Sequence, residues 1–339
     1  MSSYTTTHHH PMHELFMRRC LQLARRGEME AAPNPMVGAV IVHEGRIIGE
    51  GWHRKCGGPH AEVNAIASVS AGDMPLLPEA TMYVSLEPCS HWGRTPPCAE
   101  LLVQKGFRRV VVGCQDPFAK VQGRGISRLR AAGIEVIVGV LEDECRHLNR
   151  RFITFHTLHR PWITLKWAQS ADGFIDRRRT SRADGPPVRF SNEWTQTLVH
   201  RLRATHQAIL VGRRTWELDA PSLTTRLWPG PSPQRFVLTH GYGLLPAPAR
   251  LEETLDPSRT GEGSGEGLPF PTLLAELHSR GIQSLLVEGG SQTLQNFIDA
   301  DLWDEAYIEQ SPITLGDGVP APTLKGGFPS PRHNRGGVG

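Results

Sequence analysis

Between residues 12 and 26 the apolar positions Phe16, Cys20, Leu23 and Ala24 recur at helical spacing, and Gly27 stands where a left-handed cap would end the helix. Residues 37–42 and 46–49 are apolar runs separated by His43-Glu44-Gly45, the pattern of a β-hairpin with glycine in the turn. The next helix is expected over 60–69. Strand-like runs at 81–86, 110–112 and 134–138 then alternate with helical stretches at 98–105 and 126–132, which defines an α/β domain. From 142 to 159 the pattern turns polar, and Pro161 restarts a strand-like run, so a domain boundary is expected near residues 149–160. A second α/β domain follows, with strands at 163–167, 208–211, 236–239 and 284–287 and helices near 192–202 and 291–300. Residues 261–271 read as a surface loop and 326–339 as a disordered tail, being rich in Gly and Pro. The expected division is therefore 12–149, 160–325 and the tail.

The length of 339 residues agrees with two domains of ~150 residues each. At 39% hydrophobic and 21% charged the chain has ordinary globular composition, and no stretch approaches the ~20 apolar residues of a membrane span. The polar, histidine-rich start lacks the apolar run of a secretory signal, so a cytoplasmic location with reduced cysteines is expected. All six cysteines lie in the first 145 residues, which implies different chemistry in the two halves. Net charge is +3 with acidic residues interspersed, too balanced to indicate a nucleic-acid binder.

The chemistry of the first half is carried by His60-Ala61-Glu62 and by Pro88-Cys89 followed, after eight intervening residues, by Cys98. Each group opens a helix. One imidazole and two thiolates suit zinc, and three protein ligands leave the fourth position for water, as a catalytic site requires. Zinc lowers the pKa of bound water to ~7, and Glu62 is placed to carry its protons. The order H-x-E, P-C, C is that of zinc-dependent nucleobase deaminases, in which the glutamate is not a ligand. A structural zinc would need a fourth protein ligand, for which Cys56, Cys114 or His53 is available. For Cys20, Cys114 and Cys145, in apolar or helical contexts, packing is the expectation.

These motifs, together with Ala32-Pro33-Asn34-Pro35-Met36-Val37-Gly38, Gly58-Pro59-His60-Ala61-Glu62-Val63 and the Ser90-His91-Trp92-Gly93-Arg94-Thr95-Pro96-Pro97 insert between the cysteines, resemble the bifunctional deaminase/reductase family of riboflavin biosynthesis. The resemblance implies a cytidine-deaminase-like three-layer domain followed by a dihydrofolate-reductase-like domain. It implies Zn2+ on His60, Cys89 and Cys98, with Glu62 catalytic. The implied substrate is a diaminopyrimidinone ribosylamino 5'-phosphate, which loses its 2-amino group to water and is held by Asn34, His53, His91 and Arg94.

The second half resembles the family's reductase in Thr164-Leu165-Lys166-Trp167-Ala168, Val211-Gly212-Arg213-Arg214-Thr215, Asp219-Ala220-Pro221-Ser222-Leu223-Thr224-Thr225-Arg226 and Val287-Glu288-Gly289-Gly290-Ser291-Gln292-Thr293-Leu294. Asp or Asn is usual in the family where Ala220 stands. The implied step is hydride transfer from NADPH to the ring-opened ribose, giving a ribityl chain. Lys166 and Glu288 are its expected catalytic residues. Ala168, Thr215, Asp219, Thr239, Gly289, Gly290, Ser291, Gln292 and Thr293 are expected to bind the cofactor, and Leu223, Arg226 and Glu288 the substrate. Glycines before a helix let backbone N–H groups approach a phosphate, although Gly-Gly there is also an ordinary turn. No G-x-G-x-x-G follows a strand, which disfavours a Rossmann site. For Lys166 the competing reading is a charge on an edge strand.

Beyond Gly318 the family continues into further strands where this chain turns Gly/Pro-rich, so a deaminase with an impaired reductase domain is one alternative. A nucleic-acid-editing deaminase is another, and a non-catalytic zinc module a third. The expected partners are a small pyrimidine phosphate and further copies of the chain, with neither nucleic acid nor membrane.

Overall fold

The computed structural model describes residues 11–90, 92, 96–117, 122–239, 243–246 and 270–324. The chain divides into two compact units between Arg160 and Pro161.

The first unit runs α1 (Pro11–Ala24), β1 (Gly38–His43), β2 (Arg46–Trp52), α2 (Ala61–Ala67), β3 (Thr81–Leu86), α3 (Cys98–Gln104), β4 (Arg109–Cys114), α4 (Arg124–Ala131), β5 (Glu135–Val138), α5 (Glu142–Leu148) and α6 (Arg150–Leu158). Its sheet has the order β2-β1-β3-β4-β5, with β1 antiparallel to both neighbours and β3, β4 and β5 parallel. Alternation along the strands supplies both cores. Ala39, Ile41, Met82 and Val84 face α2 and α3 on one side, while Val40, Val42, Tyr83 and Val111 face α1 and α5 on the other. The result is three layers. Gly51 sets the spacing of one of them, because a Cβ there would lie 2.3 Å from the Ala65 nitrogen and 2.5 Å from the Ala61 carbonyl oxygen. Helix α2 therefore rests directly on the hairpin. The polar stretch 142–159 proves to be two short helices that bury only Cys145, Leu148, Phe152 and Thr154.

The second unit comprises β6 (Trp162–Gln169), β7 (Phe174–Asp176), α7 (Glu193–Thr205), β8 (Ala208–Gly212), α8 (Arg213–Asp219), β9 (Gln234–Thr239), β10 (Gly243–Pro246), α9 (Phe270–Ser279), β11 (Ser284–Val287), α10 (Ser291–Asp299), β12 (Glu305–Gln310) and β13 (Val319–Pro320). Six strands form one sheet, β10-β9-β8-β11-β6-β12, parallel except for the β9–β10 hairpin, and β7 pairs with β13. Such parallel strands are buried on both faces, as the unbroken burial of Ala208–Gly212 and Ser284–Val287 illustrates.

Two expectations need correction. Phe270 and Pro271, read as the end of a loop, instead open α9, where Pro is tolerated because a first-turn N–H has no helical partner; residues 261–269 and the tail lie outside the described residues. Strand β6 is flanked by β11 and β12, so Lys166 does not sit on an edge. Ala220 has a physical explanation too. It closes α8 in the left-handed conformation, φ 44°, which Asn or Asp adopts more readily than alanine.

Candidate active sites

In the first unit three elements converge at the ends of the strands. His60 is the extended residue that precedes α2, Cys89 follows β3, and Cys98 opens α3. Their ligand atoms lie within 4.8 Å of one another. His60 Nδ1 is 3.6 Å from Cys89 Sγ and 3.3 Å from Cys98 Sγ. A tetrahedral zinc with bonds of ~2.3 Å to sulfur and ~2.05 Å to nitrogen has N–S edges of ~3.5 Å. The donor set and its spacing both fit zinc. The Cys89 thiol is pulled below its ordinary range by the Cys98 thiol as donor and by the His60 ring. The Cys98 backbone N–H, 3.3 Å from Cys89 Sγ, adds to this.

Glu62 sits in the first turn of α2, 3% exposed, and its burial pushes the carboxyl above its ordinary value. It is not one of the three clustered ligands, and the Cys98 thiol beside it works against the upward shift. A fourth protein ligand is not among the described residues of the cluster. Both ring nitrogens of buried His53 are engaged, Nδ1 with the Pro59 carbonyl at 3.1 Å and Nε2 with Asn34 Nδ2 at 3.0 Å. Cys56 is exposed, and Cys114 is buried with its thiol toward the Ser85 carbonyl at 3.6 Å. Cys20, Cys114 and Cys145 pack in the core behind the sheet, as expected. His91 and Arg94 lie outside the described residues.

The residue that sequence reasoning missed here is Glu87. Its carboxylate, 4% exposed, accepts four backbone N–H groups: Asp116 at 3.3 Å, Gly123 at 3.0 Å, Gly125 at 2.9 Å and Ile126 at 3.2 Å. It thereby caps α4, whose N-cap residue Gly123 has no side chain to offer, and ties the loop after β4 to the strand end that carries Cys89. Glu87→Gln turns an NH2 toward two of these donors, so the first unit should lose about 1–3 kcal/mol of stability. Thermal melting of the zinc-loaded chain checks this, and an unchanged midpoint would show that the clamp carries no weight.

In the second unit a cleft of about 2000 Å³ opens over β6, β8 and β11. Ile163, Leu165 and Trp167 point into the core, so the alternating positions Lys166 and Ala168 take the opposite face, where both line the cleft. No hydrogen bond or ion pair holds the Lys166 ammonium among the described residues. Thr215, Asp219, Gly289, Gly290, Ser291, Gln292 and Thr293 line the same cleft. Gly290, at φ 69°, precedes α10 and leaves its first amides without a side-chain cap. A Cβ at Gly290 would come within 3.0 Å of Thr215 Oγ1, and one at Gly212 within 2.4 Å of Thr293 Oγ1. This bare-backbone cradle at a helix start fits a phosphate of a dinucleotide.

The carboxylates are less free than the sequence implied. Asp219 is paired with Arg179, which also holds Asp176. Glu288 is gripped in bidentate fashion by Arg203 at 2.9 and 2.6 Å. Arg203 was not singled out from the sequence, since nothing local links two residues so far apart in the chain. Arg226 lines the cleft, its guanidinium anchored to Ser222 and Thr224. The Leu223 side chain is instead 2% exposed among Ile209, Trp216 and Val237, so only its backbone remains to meet a ligand. Thr239 ends β9, next along the strand to Leu238, which lines the cleft.

A three-layer domain with a histidine–dithiolate cluster and a buried glutamate, followed by a glycine-lined cleft on a parallel sheet, defines a zinc deaminase joined to a reductase. Residues 11–114 match the cytidine and deoxycytidylate deaminase zinc-binding region, and residues 161–335 match the RibD C-terminal domain. Riboflavin biosynthesis protein RibD of Aquifex aeolicus is 37% identical over 90% of this chain and 88% of its own, and that of Escherichia coli 36% identical over 89% and 88%. A solved structure from Thermotoga maritima, described as a diaminohydroxyphosphoribosylaminopyrimidine deaminase/5-amino-6-(5-phosphoribosylamino)uracil reductase, is 38% identical with a TM-score of 0.80, covering 93% of this chain and 90% of that one. Acinetobacter baumannii RibD is 32% identical with a TM-score of 0.78, covering 95% and 92%. The chain belongs to the RibD family of bifunctional riboflavin biosynthesis enzymes, with a zinc-dependent deaminase domain and an NADPH-dependent reductase domain.

Proposed function

We propose that the first unit removes the 2-amino group of a diaminopyrimidinone ribosylamino 5'-phosphate, and that the second reduces the opened ribosyl chain of the product to ribityl. The observation that carries this reading is the cluster of His60, Cys89 and Cys98 with Glu62 buried beside it. Zinc on these three ligands supplies a water acidic enough to act at neutral pH. Glu62, buried beside that position, would hold a proton and deliver it to the departing amine. Asn34 and His53, hydrogen-bonded to each other, hold the base, and His91 and Arg94 are assigned to the same substrate.

In the second unit NADPH supplies the hydride. Gly289, Gly290, Ser291, Gln292 and Thr293 take a cofactor phosphate, with Ala168, Thr215, Asp219 and Thr239 completing its site. Arg226 takes the substrate phosphate, for which a guanidinium fork is suited, with Leu223 contributing backbone only. Lys166, whose ammonium is uncommitted among the described residues, meets the opened sugar, and Glu288, braced by Arg203, orients it. The cytoplasm is the proposed compartment, since the cysteines are unpaired and a reducing milieu keeps the ligand thiols available. No helix among the described residues is long and apolar enough to cross a membrane. Trp194 and Leu198, exposed one turn apart on α7, offer surface for a homo-oligomer.

The test is a paired assay on the pyrimidine phosphate. Ammonia release followed by NADPH oxidation is the expected result. Ammonia without NADPH oxidation would leave only the deaminase.

A further inference from the structure

The segment that carries Arg226 is pinned to α7 at two successive points. Arg203 Nη1 donates to the Thr224 carbonyl at 3.2 Å, and one turn earlier His200 Nδ1 accepts the backbone N–H of Arg226 at 2.8 Å. Just upstream, Leu223 is buried at φ 53°, a left-handed conformation that costs a branched side chain energy and persists only where its surroundings impose it. Here they are the apolar packing of its side chain among Ile209, Trp216 and Val237 and the two bonds from α7 just downstream.

His200 is 5% exposed and lines the cleft, yet it presents no group that the proposed chemistry uses. To accept from an N–H its Nδ1 must be bare, so the ring must be neutral. Burial favours that form, as do the Arg203 guanidinium on its own helix and the Arg226 guanidinium on the segment; only Glu288, at the end of β11, opposes them, and it is already bonded to Arg203.

We propose that His200 is a positioning residue of the reductase, whose neutral imidazole holds the segment so that Arg226 meets the substrate phosphate. This rests on the reading of Arg226 given above. Below the depressed pKa of His200 the ring gains a proton, loses its acceptor and repels both arginines. Substrate affinity then falls with pH while hydride transfer does not.

The experiment compares His200→Leu and His200→Asn in the full-length, zinc-loaded chain, with the deaminated pyrimidine phosphate and NADPH as varied substrates. His200→Leu should raise the KM for the pyrimidine about tenfold, the worth of one buried hydrogen bond, leaving kcat and the KM for NADPH within about twofold. His200→Asn, whose amide oxygen replaces the acceptor, should restore the KM. As the pH is taken progressively below 6.5, the wild-type KM should rise more steeply than that of His200→Asn, which retains only the second ionisation of the substrate phosphate near ~6. A His200→Leu enzyme with normal KM, an Asn variant that restores nothing, or superimposable pH profiles would each overturn the proposal. Arg226→Ala separates the two levels. If it leaves KM unchanged, the phosphate reading fails and this one with it; if it raises KM while His200→Leu does not, only the role of His200 fails.

Discussion

Glu62→Gln should abolish ammonia release, lowering the deaminase rate by about 10²–10⁴-fold, the usual worth of a positioned general acid–base. The amide matches the carboxyl in shape, so α2 and the cluster beside it keep their packing. What it lacks is an exchangeable proton at the right acidity. Because Glu62 is not one of the three clustered ligands, zinc should remain at one equivalent per chain. The reductase, supplied with deaminated substrate, should work normally. Measured together, ammonia, bound zinc and NADPH oxidation give three readouts of one substitution. Ammonia release within a few-fold of normal would mean that Glu62 is a buried structural acid and that the cluster is not catalytic; loss of zinc would make it a ligand.

Lys166→Met should produce the corresponding loss in the second half, with NADPH oxidation down by about 10²–10³-fold. Methionine preserves the aliphatic stem and removes only the ammonium, so the sheet has little cause to change. The magnitude follows from position. Strand β6 is interior, the Lys166 side chain faces the cleft, and the nearby carboxylates of Asp219 and Glu288 are occupied by Arg179 and Arg203. In the proposed reduction the Lys166 ammonium, unheld among the described residues, gives a hydrogen bond or a proton to the opened sugar. Cofactor affinity, followed by quenching or calorimetry, should hardly move. A Lys166→Met enzyme retaining a fifth or more of its rate would reduce the lysine to part of the cleft wall.

How far the sequence could be read depended on whether a signal was local. Strands β3 and β11 lie where their apolar runs put them, because a strand buried on both faces is a contiguous apolar word. The zinc cluster was readable for a related reason: two of its ligands sit at helix starts announced by their own neighbours, Pro59 before His60 and Pro96-Pro97 before Cys98, and Cys89 follows directly on an apolar strand. Helix α8 was not, since it buries only Trp216 and so shows no periodicity. Strand β12 carries Glu305 and Glu309 at the sheet edge and reads as polar coil. The 142–159 stretch hid two helices for the same reason. Farther out of reach were pairings that exist only once the chain has folded. Nothing near Glu87 reveals that four amides from residues 116–126 converge on it, and nothing near Glu288 reveals Arg203.

The bare backbone of Gly51 has a consequence for how such an enzyme can change over generations. It bears no functional group, yet the height of α2 above the hairpin, and with it the reach of His60 and Glu62, is set by the hydrogen atom it carries in place of a methyl. A single added carbon would have to push the helix outward or bend the strand. The vulnerability of the deaminase to drift therefore extends beyond its ligands to an apolar position in the hairpin, where the harm comes from gaining atoms.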